Sequence, residues 1–275
     1  MGQLLLVLVA LGGATYLALG VALYALQDRL VFPAPGGIDR ASLDAAAGEV
    51  GARPVDLVAA DGTPLYAWHL VSRGERLVLM LTGNGETVAS YVPLYRLLNR
   101  NGWDVLVLAY RGYPGSGGAP SEAGLGMDAQ AAWDWAVARY RPERVVVHGR
   151  SLGGGVAAML VAGEANPAGL VLESTFTSVR DLAKRTAPLY PVDLLLRSPF
   201  DTRSRAPGLG VPVLLMHSSD DRVIPPDLGG RSLQHVIAEV QYEEVAGLSH
   251  QQCLPLADPK LRKVYLGFLE SRVPR

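Results

Sequence analysis

The apolar run Val145-Val146-Val147 leads through His148 into Gly149-Arg150-Ser151-Leu152-Gly153, and the helix-like Gly154-Gly155-Val156-Ala157-Ala158-Met159-Leu160 follows at once. A buried strand, a turn and a helix in such close succession leave the chain few ways to fold. The glycines flanking Ser151 remove side chains that would obstruct a sharp, strained turn, so its hydroxyl can project past the strand end. Ser151 is therefore the candidate nucleophile. The chain holds 31 glycines, so the five-residue string is modest evidence alone, and a plain glycine-rich turn is the bland alternative. The decision rests on whether an acid and a base follow in the order Ser, Asp, His.

The rest of the chain repeats the same alternation. Segments 77–81, 104–109, 145–147, 169–172 and 213–216 are short, β-branched or leucine-rich runs, as expected of strands buried on both faces. Helix-length segments lie between them at 88–100, 121–140 and 152–164. This order predicts an α/β fold with a mostly parallel central sheet and helices on both faces, and ligands bind such sheets at the carboxyl ends of the strands. Ahead of these, 55–58 and 65–70 read as two antiparallel strands joined at Asp61-Gly62. Residues 174–210 break the alternation with Pro188, Pro191, Pro199 and Pro207 among apolar groups, which predicts a small helical cap over the site or a surface excursion.

Residues 4–26 carry no charge, and as a helix these 23 positions would span roughly 34 Å against about 30 Å of bilayer hydrocarbon. An N-terminal transmembrane helix is expected. A cleaved signal peptide would normally have a basic leader and a shorter apolar stretch. The expected division is an anchor with its flank at 1–32 and a catalytic domain at 33–275, entered through the helix-breaking Pro33-Ala34-Pro35-Gly36-Gly37. Arg29 and Arg40 beyond the span favour a cytoplasmic face for that domain, although Asp28 and Asp39 accompany them. Net charge is −1 with no basic block, so nothing points to nucleic acid as a partner. The single cysteine, Cys253, excludes an internal disulfide framework and a cysteine-rich metal site.

A serine hydroxyl needs a base within hydrogen-bond reach and a carboxylate to fix that base's tautomer. Of five histidines, His69 and His148 precede Ser151, His217 closes a strand, and His235 lies in a helix-like segment. His250 follows the strand-like 240–245 in a loop from which a side chain can reach over the sheet, and it is the expected base. The acid should lie just after 213–216. Asp221 suits that place by its spacing to Ile224-Pro225, with Asp220 assigned to capping the turn and Glu173 as a third candidate. An oxyanion hole needs two backbone N–H groups. One is expected from Leu152, at the helix N-terminus behind the serine, and the other from Asn84 in the turn Thr82-Gly83-Asn84-Gly85-Glu86.

With these residues placed, the chain from about Gln27 onward resembles the α/β-hydrolase superfamily, in its membrane-anchored abhydrolase-domain and serine aminopeptidase-like branch. The resemblance is carried by 27–33, Gly83-Asn84-Gly85, residues 110–118, Gly149-Arg150-Ser151-Leu152-Gly153-Gly154, residues 173–178, residues 217–225 and Gly247-Leu248-Ser249-His250. It implies an α/β-hydrolase fold with Ser151, Asp221 and His250 as nucleophile, acid and base. Thr82 stands where the family usually has histidine, and Ser218 where it usually has glycine. The expectation is a serine hydrolase without metal or cofactor, cleaving an ester or thioester of a lipid-like or acylated substrate through an acyl-enzyme. A peptidase or amidase of the same fold and a non-catalytic binding protein are the alternatives.

Overall fold

The computed structural model describes residues 2–274 apart from 74 and 164. Eight strands form one sheet: β1 (Ala52–Val58), β2 (Pro64–Leu70), β3 (Leu77–Leu81), β4 (Asp104–Ala109), β5 (Val145–Arg150), β6 (Gly169–Glu173), β7 (Val213–Ser218) and β8 (Val240–Val245). They lie in the order β1-β2-β4-β3-β5-β6-β7-β8. β2 runs antiparallel to both neighbours and every other pair is parallel. Strands β3 to β7 are buried at every position. That burial on both faces explains their unbroken apolar runs.

Among the described residues the α-helices are α1 (Gly2–Val31), α2 (Arg40–Val50), α3 (Val92–Arg100), α4 (Glu122–Val137), α5 (Leu152–Val161), α6 (Val179–Thr186), α7 (Val192–Leu195), α8 (Thr202–Arg205), α9 (Gly230–Leu233), α10 (Leu254–Ala257) and α11 (Pro259–Arg272). Alternate strand residues serve different layers. Leu77, Leu79, Val145 and Val147 pack with α4 and α5 in one core, while Val78, Met80, Val146 and Val171 pack with α3 and α11 in the other. Each such side chain, fully buried, contributes about 1.5–3 kcal/mol. From β3 the chain moves outward to β4 and then returns to β5 on the opposite side of β3. Connections leave β3 and β5 in opposite directions there, opening a crevice at their carboxyl ends.

Several boundaries differ from expectation for identifiable reasons. The helix expected over 88–100 starts only at Val92, because Pro93 fits the first helical turn and residues 87–90 form a separate turn. The helix expected over 121–140 is α4, with the Ser121 hydroxyl oxygen accepting the Gly124 N–H at 3.1 Å as its cap. The one expected over 152–164 ends at Val161, and residue 164 lies outside the described residues. Past the proline linker stands α2, unanticipated, capped by the Asp39 side chain and closed by Gly51 at φ 75°. Residues 174–210 hold α6, α7 and α8.

α1 is long and apolar enough to cross a membrane, and its most apolar window has no residue buried against the protein. Its last turns join the domain. Gln27 donates its amide to the Leu195 carbonyl at 3.0 Å and accepts the Arg197 N–H at 2.7 Å, and Phe32 enters the core.

Candidate active site

The carboxyl ends of β3, β5, β6, β7 and β8 face one crevice, and four of the loops leaving them supply its polar groups. At the end of β5 the backbone of Ser151 is forced to φ 51° and ψ −118°. A side chain there costs of order 1–3 kcal/mol in strain, which the surroundings must hold. They do so with three hydrogen bonds. The Ser151 N–H donates to the Glu173 carbonyl, and the Ser151 carbonyl accepts from the Gly154 N–H and the Thr175 hydroxyl, each at 2.9 Å. The flanking glycines are required by contact. A Cβ on Gly149 would overlap the Gly153 carbonyl, and one on Gly153 would overlap the Leu81 carbonyl of β3.

Ser151 Oγ lies 3.0 Å from His250 Nε2, and His250 Nδ1 lies 2.7 Å from Asp221 Oδ2. The other Asp221 oxygen accepts the N–H groups of Val223 and Ile224 at 2.9 and 2.8 Å. Burial pushes the Asp221 carboxyl up, but the bond from His250 and the Ile224 amide together outweigh it and hold the group below the usual carboxylate range. An ionised acceptor on Nδ1 selects the tautomer that leaves Nε2 free to take a proton from Ser151. Leu152 opens α5 directly behind the serine, and Leu152 and Asn84 line the same cavity as Ser151 and His250. That cavity is about 620 Å³.

The other sequence candidates are not links in this chain of bonds, although His217 Nε2 lies 3.6 Å from Asp221 Oδ2. Asp220 accepts the Gly247 N–H, and it is Asp221 that caps the turn toward Pro225, correcting the capping role expected of Asp220. Glu173 is fully buried and bonded to His148 at 3.0 Å and to the Leu254 N–H at 2.7 Å, with no contact to His250. His235 is exposed on the surface, His69 meets Tyr140 at 2.9 Å, and His217 meets the Ile224 carbonyl at 2.9 Å. Cys253 is buried, which pushes its thiol up and away from reactivity. Among the described residues no group of three or more His, Cys, Asp and Glu side chains is placed to hold a metal ion.

A family model described as serine aminopeptidase, S33, matches residues 73–198. An uncharacterized Mycobacterium tuberculosis protein is 32% identical over 92% of this chain and 86% of its own length. The alpha/beta hydrolase domain-containing protein WAV2 of Arabidopsis thaliana is 32% identical over 75% of each chain. The chain belongs to the α/β-hydrolase superfamily, in its abhydrolase-domain branch. The lysophosphatidylserine lipase ABHD12 of Xenopus tropicalis is 31% identical over 74% of this chain, which spans 60% of that relative. In three dimensions an alpha-beta hydrolase from Vibrio vulnificus superposes with a TM-score of 0.68, at 23% identity, over 93% of this chain and 92% of its own.

Within this α/β hydrolase, one buried network escaped the reading of the sequence. Arg150, the variable residue before the serine, is buried and donates to the Glu86 carboxylate and to the His250 backbone carbonyl, with Glu173 3.5 Å from its Nε. It ties the β3 loop, the β5 elbow and the His250 loop to one cation. The signal was a charged residue between glycines at the end of a buried strand, because a buried cation requires partners. Of the two departures from the family pattern, Ser218 has a local explanation and Thr82 has none in its side chain. The Ser218 hydroxyl donates to the Leu248 carbonyl at 2.6 Å and accepts the Asp220 N–H at 3.2 Å, linking the acid loop to the His250 loop. The Thr82 carbonyl accepts the Tyr110 hydroxyl at 3.2 Å, and the Tyr113 hydroxyl reaches the Asn84 side chain at 3.4 Å, so the loop after β4 braces the turn after β3.

Proposed function

We propose that this α/β hydrolase is a serine hydrolase that cleaves a carboxylic ester or thioester through an acyl-enzyme on Ser151. The observation that carries the reading is the continuous line of hydrogen bonds from Ser151 Oγ through the His250 ring to Asp221, 3.0 and 2.7 Å long. Ser151 Oγ attacks the carbonyl carbon as His250 Nε2 takes its proton. The tetrahedral oxyanion is held by the backbone N–H groups of Leu152 and Asn84, each contributing about two to three orders of magnitude. Collapse expels the leaving alcohol or thiol with the proton from His250. Water then enters by the same route in reverse order, and its proton passes through His250 back to Ser151.

An acyl-lipid substrate is supported by the apolar wall of the cavity, where Leu30, Phe176, Val179 and Leu182 lie beside Ser151. The frog relative, a lysophosphatidylserine lipase by name, points the same way. α1 serves as the membrane anchor, and Arg29 and Arg40 beyond its apolar run favour the cytoplasmic face for the domain.

Labelling of the full-length protein by a fluorophosphonate tests the reading. We expect stoichiometric phosphonylation that is lost in Ser151→Ala. Absence of labelling in a folded protein would leave the binding-protein alternative, and faster turnover of amides than of matched esters would favour the peptidase.

A further inference from the structure

A second, apolar cavity of about 360 Å³ lies between α1 and the segment holding α6 and α7. It shares Leu30, Val31, Val179 and Leu182 with the cavity at Ser151, so the two adjoin at these four side chains. Its walls are two helix faces. Tyr24, Gln27 and Leu30 recur at helical spacing on α1, opposite Val179, Ala183 and Thr186 on α6.

Where the groove leads follows from a contact far up the anchor. The Tyr16 ring stacks on Tyr190 with centroids 4.7 Å apart and planes 4° apart. The Tyr16 hydroxyl donates to the Leu189 carbonyl at 2.8 Å, and the Tyr190 hydroxyl donates to the Tyr16 carbonyl at 3.1 Å. Tyr16 stands ten residues before Leu26, the end of the uncharged run, or roughly 15 Å along the helix axis. A segment bonded to Tyr16 therefore follows α1 well into the hydrocarbon layer if α1 spans it. Leu189 and Leu194 on that segment are 78% and 84% exposed, an expensive arrangement in water and a favourable one against lipid. Gln27 pins the other end of the same segment through Leu195 and Arg197. Both walls of the groove are thus fixed before anything binds, which lowers the cost of ordering a flexible guest.

We propose that this groove is an acyl-chain channel that opens into the bilayer and delivers one hydrocarbon chain of a membrane-resident acyl ester to Ser151. This rests on the hydrolase reading above and names its substrate class: a long-chain amphiphile that reacts without leaving the membrane. The chain lies between α1 and α6, the carbonyl reaches Ser151, and the leaving headgroup lies toward Ser90 and Gln251 at the polar end of the catalytic cavity. Each methylene that the groove buries strengthens binding up to about fourfold.

The test uses the full-length protein in phosphatidylcholine vesicles with an ether-linked lysophospholipid, which cannot be hydrolysed, carrying a diazirine at the end of a sixteen-carbon chain. Irradiation is expected to crosslink residues 23–31 and 183–196, and Ala183→Trp should lower that yield at least tenfold. The ratio of kcat/KM for sixteen-carbon to four-carbon esters should also fall at least tenfold in this variant. Thr186→Trp, exposed on the same helix, replaces it if Ala183→Trp does not fold. Crosslinks confined to residues 84–91 or 250–251, or to lipid alone, would overturn the channel, as would an unchanged ester ratio in a folded variant. Groove crosslinks without fluorophosphonate labelling of Ser151 would retain the channel and defeat the hydrolase reading. Labelling without groove crosslinks would do the reverse.

Discussion

Asp220 and Asp221 are neighbours in sequence and opposite in situation. The Asp221 carboxylate is buried and uses both oxygens, one on His250 and one on the amides of Val223 and Ile224. Asp220 points out to the Gly247 amide. Asp221→Asn keeps the shape but presents a neutral amide to His250 Nδ1, removing the acceptor that selects the working tautomer. Turnover of a short ester should fall by roughly four orders of magnitude, whereas Asp220→Asn should stay within several-fold of the parent. Comparable losses in both variants would mean that the acid has been misassigned. The type and order of these residues were legible because the chemistry demands them. Which of two adjacent carboxylates turns inward was only partly legible, since it depends on the turn to Ile224. Arg150 was illegible in its role, because its partners come from Glu86 and residue 250, far away in the chain.

At the scale of elements, the elbow works only if β3, β5 and α5 approach more closely than side chains allow. Gly153 of α5 sits against the Leu81 carbonyl of β3, and a methyl there has backbone to displace. Gly153→Ala should cost about 1–3 kcal/mol or more in urea unfolding and lower fluorophosphonate reactivity with it. Gly267, inside α11 with open space around its Cα, gives the contrast: Gly267→Ala should stabilise by roughly 0.5–1 kcal/mol. If both substitutions destabilise alike, helix propensity and elbow packing have been wrongly separated. Four of the five buried strands were legible to within two residues because burial on both faces leaves unbroken apolar runs, while β5 runs three residues past its apolar run, through His148 and Gly149 to Arg150. α2 was not, since only Leu43 and Ala47 of its eleven residues are buried and so small a face leaves little periodicity. α11 does carry a cap at Asp258 and helical spacing in Leu261, Tyr265, Phe268 and Leu269, but it lies beyond the last residue that the chemistry picks out.

For the whole molecule, the groups that organise the crevice also set its tolerance to acid. His217 is buried, and burial pushes its pKa down despite the Ile224 carbonyl and Asp221; burial lowers His69 likewise. Unfolded, each would titrate near 6.5. Above that value both states are neutral and the full stability is present. As pH falls below it the unfolded chain takes up protons that the folded one resists, so stability drains away until the depressed folded value is reached, by up to about 1.4 kcal/mol per pH unit for each histidine. Asp221 and Glu173 act lower on the scale. Both are held below the ordinary carboxylate range, burial opposing and their hydrogen-bonded partners prevailing, so their contribution is present above about pH 4 and is lost beneath it. Asp128 runs the other way. Burial outweighs Arg111 and raises its carboxyl, so acidification relieves a small part of the loss. Melting temperature is therefore expected to fall from pH 7 to pH 5 and more steeply below pH 4. His217→Gln can still donate to the Ile224 carbonyl but cannot titrate, so it should make the first decline shallower, leaving the share of His69, and leave the second in place. A parent protein whose melting point is level from pH 7 to pH 5, or a variant that keeps the parent's slope, would remove His217 from this account.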